Sequence, residues 1–180
     1  MFMGFLKGFG IGLIVFVALN FVFSLIVAAV NGVLGFYFLS LAQWENFFYI
    51  LLGPIGFTPH LILFGGTFME VTYISVISAF ANNFIALALQ GIFYLVSPLI
   101  AAILTGRFAG GKKNAFLAWF LISLLSAALL LIPNLITYSA IPGSSILTYL
   151  LVVYYVLIPG IINGVFYASP GMVVSEAEFY

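Results

Sequence analysis

The run "IGLIVFVALNFVFSLIVAAV", residues 11–30, carries no charged side chain and is apolar on every face of a helix. A helix of about twenty residues, rising about 1.5 Å per residue, just crosses the ~30 Å of hydrocarbon in a bilayer. The stretch "AFLAWFLISLLSAALLLI", residues 115–132, repeats the demand. Hiding such runs from water needs a polar coat, and a soluble domain spends roughly a quarter of its positions on charge. In this chain of 180 residues 66 % are hydrophobic and 4 % are charged. The solvent it is built for is lipid. A membrane barrel would show segments of about ten alternating residues with a polar inner face. These runs do not alternate, so the fold class is an all-α, polytopic transmembrane helical bundle, whose helices satisfy their own backbone hydrogen bonds.

Four spans are clear, at about 8–30, 84–104, 115–135 and 146–167. The first apolar run is longer than the core of a signal peptide, about 7–15 residues, and reads as a span. Residues 31–83 are too apolar for an aqueous loop, yet "QWEN" at 43–46, "GP" at 53–54, "TPH" at 58–60 and "GG" at 65–66 interrupt them. They form either two further spans or a broken, re-entrant layer embedded from the outer side, so the total is four or six. The whole chain is one membrane domain.

Orientation follows from the basic residues, which favour the cytoplasmic side. Lys7 precedes the first span, and Arg107, Lys112 and Lys113 sit in the short loop "GRFAGGKKN". Both sets share a side only if an even number of crossings separates them. Four and six spans satisfy this, and both termini are then cytoplasmic, with the plasma membrane as the expected location.

Composition narrows function further. The chain has no cysteine, which excludes disulfides, thiolate metal sites and cysteine nucleophiles. A net charge of zero without a basic stripe argues against nucleic acid as a partner. One histidine and scattered glutamates offer no metal-ligand spacing, so no metal or cofactor is expected. No serine lies in a nucleophile-elbow pattern, and the chain reads as non-catalytic.

The polar groups that could form a pocket are Trp44, Glu45, His60 and Glu70, all in the interrupted region. His60 and Glu70 fall in "FTPHLILFGGTFME", residues 57–70. On one straight helix they would stand ~15 Å apart and could not touch; a break at Gly65–Gly66 would let them meet. Ionisable groups inside a membrane tend to mark ion or proton paths. The plainer reading places this segment at the outer interface, broken by Pro59 and the glycine pair, with Glu70 opening the next helical piece. "QWEN" likewise suits an interfacial turn, where Trp is favoured.

Small residues recur every four positions: Gly4, Gly8 and Gly12; Ser97, Ala101 and Thr105; Gly106 and Gly110; Gly160 and Gly164. That spacing stacks them on one helix face and permits a close helix contact, the main route to association in lipid. Asn20, Gln90 and Asn163 lie within spans and should face protein, because an amide in hydrocarbon needs a partner. Pro98 and Pro159 should kink their helices. Abundant aromatic residues suit contact with lipid chains or neighbouring subunits. Two functions fit: a structural or accessory subunit of a larger membrane complex, with other membrane subunits and lipids as partners, or a small transporter or substrate-binding component whose polar pocket is built by residues 31–83.

Overall fold

The computed structural model describes residues 2–68, 71–73, 75–141, 143 and 145–175. Four helices are long and apolar enough to cross a membrane: α1 (Phe2–Val30), then, after a set of short elements, α6 (Ile85–Ala109), α7 (Lys112–Ser139) and α8 (Ile146–Ser175). The protein is an all-α integral membrane bundle with multiple spans. Each helix runs on past the expected span, because nothing in the flanking residues stops the hydrogen-bond ladder until a glycine or polar turn is reached. α6, for instance, stops at Gly110, which has φ 67°, and Gly111 follows with φ 142°. Two residues in that left-handed region turn the chain directly into α7, and glycine adopts it without a Cβ penalty.

The chain alternates direction. α1 packs along α6, and α7 along α8, with α6 also against α8. The α1–α6 pair is antiparallel and very close. A Cβ on Gly4 would lie 2.5 Å from the Ala109 carbonyl oxygen, and one on Gly8 would lie 2.8 Å from that of Thr105. A Cβ on Gly12 would overlap the Thr105 hydroxyl. α6 and α8 touch backbone to backbone, since a Cβ on Gly106 would overlap the Gly171 carbonyl. On the α7–α8 seam, a Cβ on Gly160 would overlap the Ala127 methyl, and one on Gly164 would lie 2.8 Å from the Phe120 ring. Helices in lipid gain their association energy from such close packing. These contacts fix the levels of the helices. The start of α1, the α6–α7 turn and the end of α8 share one end of the bundle, and all four basic residues sit there. Lys7 Nζ lies 5.5 Å from the centre of the Phe108 ring across that end. We call it the basic end.

Between α1 and α6 the chain forms α2 (Leu34–Leu41), α3 (Trp44–Leu52), a 3₁₀ turn (Gly53–Gly56), α4 (Pro59–Phe64), β1 (Gly66–Phe68), β2 (Val71–Tyr73) and α5 (Val76–Ala81). Among the described residues of this segment the longest helix has 9 residues, about 14 Å, too short to span. Among the described residues the segment is broken into short elements, and four helices are long and apolar enough to span. β1 and β2 pair antiparallel, Thr67 opposite Thr72. The sequence reading has Glu70 open the next helical piece. Glu70 itself lies outside the described residues. The chain after it enters a strand at Val71, and the next helix waits until Val76, capped by the Ser75 hydroxyl accepting from the Ser78 amide at 2.9 Å. Val71, Thr72 and Tyr73 are β-branched or aromatic and favour a pleated strand over a helix start.

Candidate functional site

α3, the 3₁₀ turn and α4 form a V that enters the bundle from the end opposite the basic one. α3 packs against α1 and α7, α4 packs against α6, and the 3₁₀ turn at the tip packs against α6, α7 and α8. The tip sequence "GPIG" explains the shape. Pro54 fits the first turn of a helix but cannot continue one from α3. Ile55, fully buried, lies beside Gly160 and Ala127 on the α7–α8 seam. Ala127 is at the middle of the 28 residues of α7, about 22 Å along the helix from Lys112. The tip therefore reaches mid-depth of the bundle.

Irregular backbone at that depth is tolerated only where protein or a water-filled cavity takes its hydrogen bonds. Two amides do this. Asn163 of α8, 1 % exposed, donates from Nδ2 to the carbonyls of Ile55 and Phe57, both at 2.9 Å. Asn20 of α1 donates from Nδ2 to the Leu51 carbonyl at 2.6 Å, and its Oδ1 accepts from the Ser97 hydroxyl of α6. Ser97 precedes Pro98, so the same turn of α6 carries both a helix irregularity and the hydroxyl that holds Asn20. A Trp119 indole N–H donating to the Asn163 carbonyl at 3.3 Å and a Ser123 hydroxyl donating to that of Gly160 at 2.7 Å tie α7 to α8 at this level. The hairpin is thus fastened to both halves of the bundle by side-chain amides.

Two cavities flank the hairpin. The first, ≈ 400 Å³, lies between α1, α2, α3 and α6. Asn20 lies against it, with Ser24 and Tyr37 on one side and Gln90 and Tyr94 on another. The Tyr37 hydroxyl donates to the Phe21 carbonyl at 3.2 Å and lies 2.9 Å from the Ser24 hydroxyl, while Gln90 Nε2 donates to the Tyr94 hydroxyl at 3.0 Å. The second, ≈ 680 Å³, lies between the 3₁₀ turn, α4, α7 and α8, with His60, Asn134, Tyr138 and Tyr155 among its lining residues. Tyr49 and Tyr94 line both cavities, one from the hairpin and one from α6. The Tyr94 ring also meets Phe57 at 5.3 Å between centroids.

The residues singled out from sequence are not gathered in one place. His60 faces the second cavity and is exposed there. Trp44 and Glu45 begin α3 and line neither cavity; Trp44 is 43 % exposed and meets Phe48 edge to face at 6.4 Å. Glu70 is outside the described residues. The amides and phenols that do line the cavities, chiefly Gln90, Tyr94 and Tyr49, come from α6 and α3. Their signal was a single amide in an apolar span, Gln90, one turn before Tyr94; residues four apart share a helix face. Among the described residues no three His, Cys, Asp or Glu side chains are grouped. No family model, no curated protein and no solved structure matches this chain.

Proposed function

We propose that this chain is a non-catalytic, substrate-binding membrane component that takes up an uncharged small molecule beside its re-entrant hairpin. The observation that carries the reading is the hairpin tip, fastened by Asn20 and Asn163 at mid-depth between two cavities. Broken helices are costly in a membrane, and where they line a cavity they point to a binding site for what crosses it. Both cavities are lined by the parts of the long helices that lie away from the basic residues. With the basic end cytoplasmic, as the distribution of Lys and Arg favours, uptake is from the outer side of the plasma membrane.

An accessory subunit of a larger membrane complex is the second reading. The observation favouring it is the wide apolar exterior, including Ile14 at 70 %, Ile146 at 80 % and Val173 at 71 % exposure. Lipid covers such a surface equally well. The glycine faces that suggested contact with other chains are spent on α1–α6, α6–α8 and α7–α8 contacts inside this one. Native mass spectrometry of the protein released from mild detergent separates the readings. A single chain or homo-oligomer carrying a small-molecule adduct supports binding. A particle with other protein chains and no adduct favours the accessory subunit.

A further inference from the structure

We infer that the cavity between α1, α2, α3 and α6 is a binding site for a neutral, planar ring compound bearing carbonyl oxygens. This rests on the substrate-binding reading above and names the class of ligand. The volume, ≈ 400 Å³, falls within the range of small-molecule sites, about 300–1,000 Å³. Among the described residues that line it, none is Asp, Glu, Lys, Arg or His. A charged ligand would leave water for a membrane-embedded pocket with no counter-charge, at a cost far above that of a neutral one.

The walls select further. Phe23 of α1 and Phe93 of α6 both line the cavity and stack at 4.2 Å between centroids, 11° from parallel. The stacked pair adds aromatic wall against which a ring can pack offset or edge-on. Several polar groups in the walls keep a proton to donate. Because Gln90 donates to the Tyr94 oxygen, the Tyr94 phenol proton is the group left to give. Gln90 keeps a second amide proton, Asn46 keeps one after donating to Gln43 Oε1 at 2.6 Å, and Tyr49 adds a second phenol. Ligand acceptors, which carbonyl oxygens are, satisfy such a set. By contrast, Asn20, Ser24 and Tyr37 are committed to protein partners and act as the frame. A ring of this kind could arrive free from solution or on the end of a lipid-soluble tail.

The test measures binding by equilibrium dialysis to the full chain in nanodiscs. Three probes are used: duroquinone, neutral and tail-less; decylubiquinone, neutral with an alkyl tail; and 1,2-naphthoquinone-4-sulfonate, charged. Saturable binding of the neutral probes, with the sulfonate at least tenfold weaker, is expected. Tyr94→Phe, which keeps the ring, should weaken neutral-probe binding about 2- to 10-fold, the loss of one hydrogen bond. Asn134→Leu, in the other cavity, should not change it. Tighter binding of decylubiquinone than of duroquinone identifies a lipid-borne ligand, and equal binding a free one. If neither neutral probe binds saturably, or the sulfonate binds as well, the inference falls. The substrate-binding reading then stands or falls separately, on whether native mass spectrometry finds any other adduct.

Discussion

Replacing Asn163 by leucine removes both hydrogen bonds that hold the hairpin tip to α8. The Ile55 and Phe57 carbonyls, each at 2.9 Å from Asn163 Nδ2, would lose their side-chain donor. A buried carbonyl left unpaired costs about 1–3 kcal/mol, so two cost roughly 2–6 kcal/mol. Part of this is returned. Asn163 Oδ1 is buried with no partner among the described residues, and its removal relieves about 1–3 kcal/mol of the same kind. The net loss is then about 1–3 kcal/mol. Side-chain hydrogen bonds in membrane proteins average only ~0.6 kcal/mol, which favours the lower half of that range. The assay is reversible unfolding in mixed micelles with rising SDS fraction. Trp119 is a reporter at the right level, because its indole donates to the Asn163 carbonyl. Asn134→Leu is the matched control, since among the described residues Asn134 Nδ2 bonds back along its own helix, to the Leu130 carbonyl at 2.7 Å. It should change stability by no more than about 0.5 kcal/mol. If Asn163→Leu unfolds at the same SDS fraction as the native protein and as Asn134→Leu, the amide does not hold the tip and the reasoning fails.

Three further outcomes are expected. Gly106→Ala should destabilise by roughly 3 kcal/mol or more, because its Cβ would overlap the Gly171 carbonyl, whereas Gly10→Ala, with open space around it, should be neutral in the same unfolding assay. His60→Ala should leave stability within about 0.5 kcal/mol of native, His60 being exposed on α4, and a larger loss would show a partner the structure does not hold. Single cysteines at Met3 and Lys113, placed in a chain that has none of its own, should react with a membrane-impermeant maleimide from the same side; opposite sides would overturn the helix arrangement.

The four spans were legible because twenty consecutive apolar residues have few ways to exist in water, and hydropathy needs no knowledge of partners. The breaks at "GP", "TPH" and "GG" were equally legible, since proline and glycine act on their own backbone. What they join was not. Asn20 and Asn163 were recognisable as amides that must face protein, yet their partners are backbone carbonyls of Leu51, Ile55 and Phe57, which carry no side-chain signature. The strand pair on either side of Glu70 was hidden for a related reason. A charge at a helix start is a local signal, but Gly66–Phe68 and Val71–Tyr73 pair with each other across it, and that pairing depends on register. The cavity phenols Tyr49 and Tyr94 lie 45 positions apart and come to line the same cavities through the hairpin's insertion.

The central claim is that the 3₁₀ turn sits at mid-depth against α7 and α8, and disulfide trapping tests it directly. Ile55 and Ala127 both border the space a Cβ on Gly160 would fill, Ile55 Cγ2 at 3.7 Å from it. In the cysteine-free chain, Ile55→Cys paired with Ala127→Cys should form a bond on mild oxidation in native membranes, read as loss of both thiols by mass. Ile55→Cys paired with Ile146→Cys, at the opposite end of α8, should keep both thiols free. Cross-linking of the second pair but not the first would place the turn at the membrane surface and contradict the account.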